Sequence, residues 1–462
     1  EIPFDSTRKM MTTFNENVFS SNIISATKGA PDIVIGNCKY VLINGKEEEF
    51  TSELKDKVLL QNSQFAKQAL RVLAFAYRKF DSLPGDRTSE NIEKDMIFVG
   101  LMGMIDPARP EAKEAIKECR NAGIIPIMIT GDYLETAVAI AKDLGILDEH
   151  SKAIMGRELN KMTEEEICEV VKTTRVFARV SPENKVQIVS ALKKNGHIVA
   201  MTGDGVNDAP AIKRADIGVS MGITGTDVAK NTSDVILTDD NFATIVSAVH
   251  EGRIIYSNIK KFVSFLLSCN VGEILIVLIS ILLNIPVPFV PIQLLWLNLV
   301  TDSFPALALG VEKGDEDIMH VSPRNPNEPI LDKEMVYSII SQSLAITTAT
   351  LVAYFYGMYH YPNHIEGART VAFFTLITAE LLRSYSVRSS RFTLFHIGVF
   401  SNKTLVYGTT LSFFMMLVVV YVPFLQPYFD TVSLGIKELA VAIPLAFLPF
   451  IVAEVSKVMR KK

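Results

Sequence analysis

Six long apolar runs crowd the chain after residue 240, at about 259–283, 289–309, 335–357, 368–387, 404–424 and 436–456. Each is close to the roughly twenty residues that an α-helix needs to cross the hydrocarbon layer of a bilayer. A segment in hydrocarbon must satisfy its own backbone hydrogen bonds, so the runs are predicted to be six transmembrane helices packed as a bundle. Before residue 240 charged and apolar residues mix as they do in water-soluble domains, so the 48% hydrophobic content is concentrated in the second half. A net charge of −5 gives no reason to invoke nucleic acid. The four cysteines, Cys38, Cys119, Cys168 and Cys269, form no CxxC pair and read as free thiols in a reducing compartment or a membrane. No signal peptide is evident, and the opening "EIPFDSTRKMM" has no initiator Met, which suggests a fragment.

Loop charge orients the bundle. "SVRSSRF", "SKVMRKK" and the "IKK" before the first run are basic, whereas "IPVPF", "HYPNHIEG" and "QPYFD" carry no Lys or Arg apart from Arg369 at one edge. Positive-inside then places the soluble part, the 311–334 loop and the C-terminus in the cytosol.

The soluble part divides at about residue 105. Residues 1–105 read as mixed α/β, with the β-like "VLAFAYR" and the continuous apolar "MIFVGLMGMID", which looks like a buried parallel strand ending at Asp106. Over 106–240 strands and helices alternate: "PEAKEAIKECRNAG" is helical, "IIPIMITGD" a strand, "YLETAVAIAKDLGI" helical, and "VFARV" and "HIVAMTGD" are strands around the helix "PENKVQIVSALKKNG". Such alternation predicts a doubly wound parallel sheet, whose ligands bind at the carboxyl ends of the strands. Three strands end there in polar loops, "IDPARP", "ITGD" and "MTGDGVNDAP".

Those loops have the chemistry of a phosphate and magnesium rim. Asp204 and Asp208 are the hard oxygen ligands that Mg²⁺ prefers, and Gly203 and Gly205 permit close backbone approach. Thr130, Gly131 and Asp132 supply hydroxyl and amide donors to phosphate oxygens, and Lys185 a positive charge for a phosphoryl group in transfer. One Gly-Asp loop alone is as readily a tight turn; three on neighbouring strand ends with a lysine point to a site.

"DPARPEAKEAI", "ITGD", "ARVSPENK" and "MTGDGVNDAPAIKRADIGVSMG" resemble the phosphorylation domain of P-type cation-transporting ATPases, members of the haloacid-dehalogenase-like superfamily with a Rossmann-like α/β fold. "PFDSTRKMM", "KGAP" and "LRVLAFAYR" resemble part of their α+β nucleotide-binding domain. The resemblance runs over essentially the whole chain and implies three domains, 1–105, 106–240 and 241–462. It implies ATP and Mg²⁺ as cofactors, with Asp204 as a Mg²⁺ ligand, Asn207 and Asp208 ordering the site, Thr130 and Gly131 binding phosphate, and Lys185 on the transferred group. Arg179 and Asp132 would face the nucleotide, Phe4 would stack on adenine beside Lys9, and Lys28 and Arg71 would line the pocket. Ser6 stands where the family has an ATP-contacting arginine. The nucleophile motif Asp-Lys-Thr-Gly-Thr, the Thr-Gly-Glu loop and the first four membrane helices are not found, so the chain resembles the C-terminal half of a pump. It is expected to form no phosphoenzyme on its own and to partner the N-terminal half.

Acids inside the apolar runs indicate the transported ion. Asn270 and Glu273 are three apart on one helix face; Asn298, Thr301 and Asp302 share another; Glu380 lies deep in the fourth run. Pro305 weakens the second helix and frees carbonyls for an ion. These all-oxygen donors suit a hard cation such as Ca²⁺. "NVGE", "LLWLNLVTD" and "ITAE" resemble sarco/endoplasmic-reticulum-type calcium pumps, which implies ATP-driven Ca²⁺ transport through a phospho-aspartate, with Glu273 and Glu380 in one of two calcium sites. Arg383, one turn after Glu380, is an unexpected cation there, or one that snorkels to the interface. The alternatives are a pump for Mn²⁺, Na⁺ or K⁺, a membrane-anchored phosphohydrolase of the same superfamily, or a regulatory half-protein. The expected home is a multi-pass membrane location, the plasma membrane if the source is bacterial.

Overall fold

The computed structural model describes residues 1–462 except 6, 19–20, 69, 105–107 and 461–462, so Ser6 and the predicted strand end at Asp106 lie outside the described residues. It forms two compact units, Glu1–Val246 and Ser247–Lys462.

The first unit opens with a seven-stranded mixed sheet. Its strands are β1 (Ile2–Asp5), β2 (Met10–Val18), β3 (Ser21–Gly29), β4 (Cys38–Ile43), β5 (Lys46–Glu49), β6 (Arg71–Phe80) and β7 (Met96–Met104), in the order β1-β2-β3-β6-β7-β4-β5. The apolar run "MIFVGLMGM" is β7, and it departs from expectation. It runs parallel to β4 but antiparallel to β6. Only its first half is buried; Val99, Met102 and Met104 are exposed. A continuous apolar run therefore does not require burial on both faces.

Beyond it, β8 (Met128–Ile129), β9 (Lys152–Met155) and β10 (Thr174–Ala178) make one parallel sheet in the order β8-β10-β9; β11 (Ala200–Gly203), β12 (Ile217–Met221) and β13 (Val235–Leu237) make a second. The parallel, helix-flanked pattern agrees with the sequence, but the expected single sheet is recorded as two ladders. β8 shrinks to two residues after Pro126, which has no N–H to donate to a ladder. Ile129 of β8 nevertheless packs against both Phe177 and Met201 core clusters, so the strand ends come together through side chains.

In the second unit five helices among the described residues are long and apolar enough to cross a membrane: Phe242–Leu282, Pro291–Gly310, Lys333–His360, Lys403–Tyr421 and Ile436–Met459. These make the chain an integral membrane protein. The remaining predicted run is also a helix, Ile365–Ser386, but it carries Glu366, Arg369, Glu380 and Arg383. Nearly every side chain from Gly367 onward is buried against neighbouring helices, so its charges face protein. Arg383 is 2% exposed, and its Nη1 donates to Ser386 Oγ at 3.0 Å, so its head group is held inside the protein.

The second helix is interrupted. Leu297–Thr301 is a π-turn, closed by Asp302 N–H donating to Leu297 O at 3.0 Å. Pro305 accounts for the break. In an α-helix its missing N–H would have met Thr301 O, four residues back. That carbonyl accepts instead from Ser412 Oγ at 2.9 Å, on Lys403–Tyr421. Ser412→Ala should leave it without a donor and destabilise the membrane unit by about 1–3 kcal/mol, read as a lower melting temperature.

Candidate functional sites

In the first unit Asp208 is the hinge pin of the glycine loop. Its Oδ1 meets Lys185 Nζ at 2.5 Å, and its Oδ2 accepts from the backbone N–H groups of Asp204 and Gly205 at 3.3 and 3.2 Å. Lys185 reaches it from the first turn of helix Pro182–Lys194, which begins with a Ser181 cap and Pro182. The loop is tight enough to demand glycine: a Cβ on Gly203 would sit 2.4 Å from Asp208 Cβ. Asp208 is thus consumed by internal contacts, while Asp204 and Asn207 are exposed. On the neighbouring strand end, Thr130 Oγ1 accepts from Asp132 N–H at 3.0 Å and donates to Asp132 Oδ2 at 3.1 Å; Gly131 is exposed.

A second clamp supports Asp204. Its carbonyl accepts from Thr226 N–H at 2.8 Å. The 222–224 segment before Thr226 wraps the Asp240 carboxylate, with N–H donors from Gly222, Ile223 and Thr224 at 2.6, 3.0 and 2.8 Å and the Thr224 hydroxyl at 2.8 Å. Desolvation pushes the Asp240 carboxyl up, but these donors outweigh it and hold it down at about 2, against an ordinary 3.8. A carboxyl depressed in the folded state stabilises above its unfolded value, and that contribution is lost as pH falls. The melting-temperature gap between wild type and Asp240→Asn should therefore be full above about pH 5 and close towards about pH 2.

The predicted nucleotide residues divide. Lys9 and Arg179 both adopt left-handed backbone, φ 55° and 53°. Arg179 Nη2 lies 3.6 Å from Asp32 Oδ1, with the guanidinium 5.4 Å from the Tyr133 ring centre. Burial first, then the Arg179 charge, lowers the Lys9 pKa, opposed by Asp32. A lysine whose charge is depressed by burial and by a neighbouring guanidinium is a receptive setting for an anion. Lys28 stands next to Gly29, whose missing Cβ leaves room for Lys9 O; a Cβ there would come within 2.5 Å. Phe4 is 63% exposed. Lys28 and Arg71 are exposed on β3 and β6.

The membrane unit gathers acids from three helices. Glu273 accepts from Asn298 Nδ2 at 3.2 and 2.9 Å through its two oxygens. One ligand atom each from Cys269, Asp302 and Glu380 lie within 4.8 Å of one another, all three residues buried. Neither oxygen of Asp302 or of Glu380 has a hydrogen-bond partner among the described residues. Thr301 is fully buried, its hydroxyl donating to Leu297 O at 2.8 Å. Asn270 is not brought to this cluster by any hydrogen bond: its amide donates to Leu266 O of its own helix at 3.0 Å. Four unpartnered carboxylate oxygens in a dry bundle are costly unless a cation or protons meet them.

Sequence reasoning passed over Cys269, Ser412 and Asp240. Cys269 is four residues before Glu273, so helical spacing puts it on the acidic face. Asp240 and Ser412 carry no local signal, because their partners come from other elements.

A family model described as "P-type ATPase, cytoplasmic domain N" matches residues 1–111, and one described as "Cation transporting ATPase, C-terminus" matches 286–459. A calcium-transporting ATPase of Bacillus subtilis is 48% identical over 463 residues, covering 100% of this chain and 52% of that protein. One of Saccharomyces cerevisiae is 36% identical, covering 100% and 49%. An endoplasmic reticulum calcium ATPase of Aspergillus fumigatus is 36% identical, covering 89% and 47%. The chain spans about half the length of the curated relatives it matches. With both segments matched and relatives 36–48% identical along the chain, the chain belongs to the P-type cation-transporting ATPases.

Proposed function

We propose that the protein transports Ca²⁺ across a membrane, driven by ATP through a phospho-aspartate intermediate. The observation that carries this reading is the buried pair Asp302 and Glu380, whose carboxylate oxygens have no hydrogen-bond partner among the described residues, beside Glu273 and Asn298. Carboxylates, an amide and the Thr301 oxygen suit a hard divalent cation. Asn270 would join through its amide oxygen, since its bond to Leu266 O uses only Nδ2.

In the soluble unit, Asp204 would hold Mg²⁺: its carboxylate is exposed while Asp208 is held internally, so the loop leaves one hard ligand free. Mg²⁺ would neutralise charge on the phosphoryl group in transfer. Lys185 would stand beside that group, Thr130 and Gly131 would hold phosphate oxygens, and Asn207 and Asp208 would order the loop. Lys9, Lys28, Arg71, Asp132 and Arg179 would receive the nucleotide, with Phe4 on adenine. The acceptor aspartate of the family's motif is not among the 462 residues, and the reading takes it from an N-terminal half.

The finer architecture belongs to the same reading: domains at 1–105, 106–240 and 241–462, a haloacid-dehalogenase-like phosphorylation domain, and Ile365–Ser386 as the sixth span. Loop charge supports cytosolic placement of the soluble part and the C-terminus.

The test is ATPase activity of the full-length protein against Ca²⁺, Mn²⁺, Na⁺ and K⁺. Stimulation by Ca²⁺ at micromolar levels supports the reading; stimulation by Na⁺ or K⁺ alone would replace it.

A further inference from the structure

We infer that Cys269 is a sulfur ligand of the buried cation site, which therefore takes a thiophilic divalent cation together with Asp302 and Glu380. This rests on the reading of those acids as the ion site.

The geometry is that of a metal cradle. Oxygen ligands sit about 2.3–2.6 Å from a Ca²⁺-sized ion, so ligand atoms on opposite sides of it are up to about 5 Å apart. The thiol and the two carboxylates fall within that limit, their ligand atoms all within 4.8 Å of one another. Cys269 and Glu380 are 0% exposed and Asp302 is 1%. The carboxylates are free to bind, because none of their four oxygens has a hydrogen-bond partner among the described residues. Arg383 does not neutralise them through a hydrogen bond; its Nη1 is turned to Ser386 Oγ.

A buried cysteine is more often a small apolar side chain. Here it shares a pocket with two unpartnered acids, and the chemistry changes accordingly. Ca²⁺ draws on oxygen ligands alone, whereas a softer ion such as Cd²⁺ or Zn²⁺ gains from sulfur. On coordination the thiol S–H bond breaks, the proton leaves to solvent, and the sulfur pair forms the metal–sulfur bond. No electron is transferred.

Cd²⁺ is the probe, added to the full-length protein in membranes on a background in which Cys38, Cys119 and Cys168 are replaced by Ser. Two signals are read: the ultraviolet cadmium–thiolate charge-transfer band, and Cd²⁺ and Ca²⁺ affinities by mutual competition. The expected result is a band that Ca²⁺ displaces. Cys269→Ser should abolish it and lower Cd²⁺ affinity at least about tenfold more than Ca²⁺ affinity. Equal losses for both ions in Cys269→Ser and in Cys269→Ala would overturn the inference, as would a band that Ca²⁺ cannot displace. Ca²⁺ binding that is indifferent to Asp302→Asn would instead remove the ion-site reading beneath it, so the two failures are distinguishable.

Discussion

Asp302→Asn should abolish phosphorylation by ATP at calcium levels that saturate the wild type, while phosphorylation from inorganic phosphate survives. Asp302 is 1% exposed, at the exit of the π-turn, and its two oxygens have no hydrogen-bond partner among the described residues. Truncating one member of a buried, desolvated charge contact typically costs about 2–5 kcal/mol, or roughly thirty- to several-thousand-fold in affinity. The amide keeps the shape of the carboxylate, so the bundle is expected to fold, and removing an uncompensated buried charge relieves rather than adds cost. On the proposed function, the reverse reaction with phosphate would use the soluble rim without needing a loaded ion site. Retained wild-type calcium dependence of the ATP reaction would show that Asp302 is no ligand.

Lys185→Met is the second large effect, and it is the opposite separation. Removing a preorganised positive group from the site of charge development costs about 10²–10³ in rate, read as the phosphoenzyme formation rate at saturating Ca²⁺ and ATP. The same change leaves Asp208 without its 2.5 Å partner. Both side chains retain some solvent contact, so the stability loss should be nearer about 1 kcal/mol than the cost of a fully buried pair. The double variant Lys185→Met/Asp208→Asn separates the two roles. It should recover thermal stability and not rate; recovery of rate would make Lys185 only a prop for the loop.

The parts of this protein that were legible in its sequence are those governed by short-range pattern. Lengths of apolar runs located the long helices within a few residues, except that the first continues back to Phe242, and "MTGDGVNDAP" disclosed its loop because Gly203 and Asp208 interact at a separation of five. Elsewhere the determining partner is far along the chain. Pro305 signals a weak helix, but where its orphaned carbonyl turns depends on Ser412, 111 residues from Thr301. Ile365–Ser386 was legible as an apolar run, but the sequence does not say which way its charges face; its neighbours bury Arg383 and Glu380. "MIFVGLMGM" looked buried throughout because composition does not report which neighbours a strand end lacks. Cys269 was within reach of helical spacing, and the oxygen-only view of calcium ligands obscured it.

The proposed function has these buried acids carry Ca²⁺ at the expense of ATP. Uptake of radioactive calcium into sealed vesicles bearing the full-length protein tests it most directly. The predicted result is ATP-dependent accumulation that a calcium ionophore releases and that Asp302→Asn abolishes. ATP hydrolysis by those vesicles without calcium accumulation, or accumulation unaltered in Asp302→Asn, would contradict it.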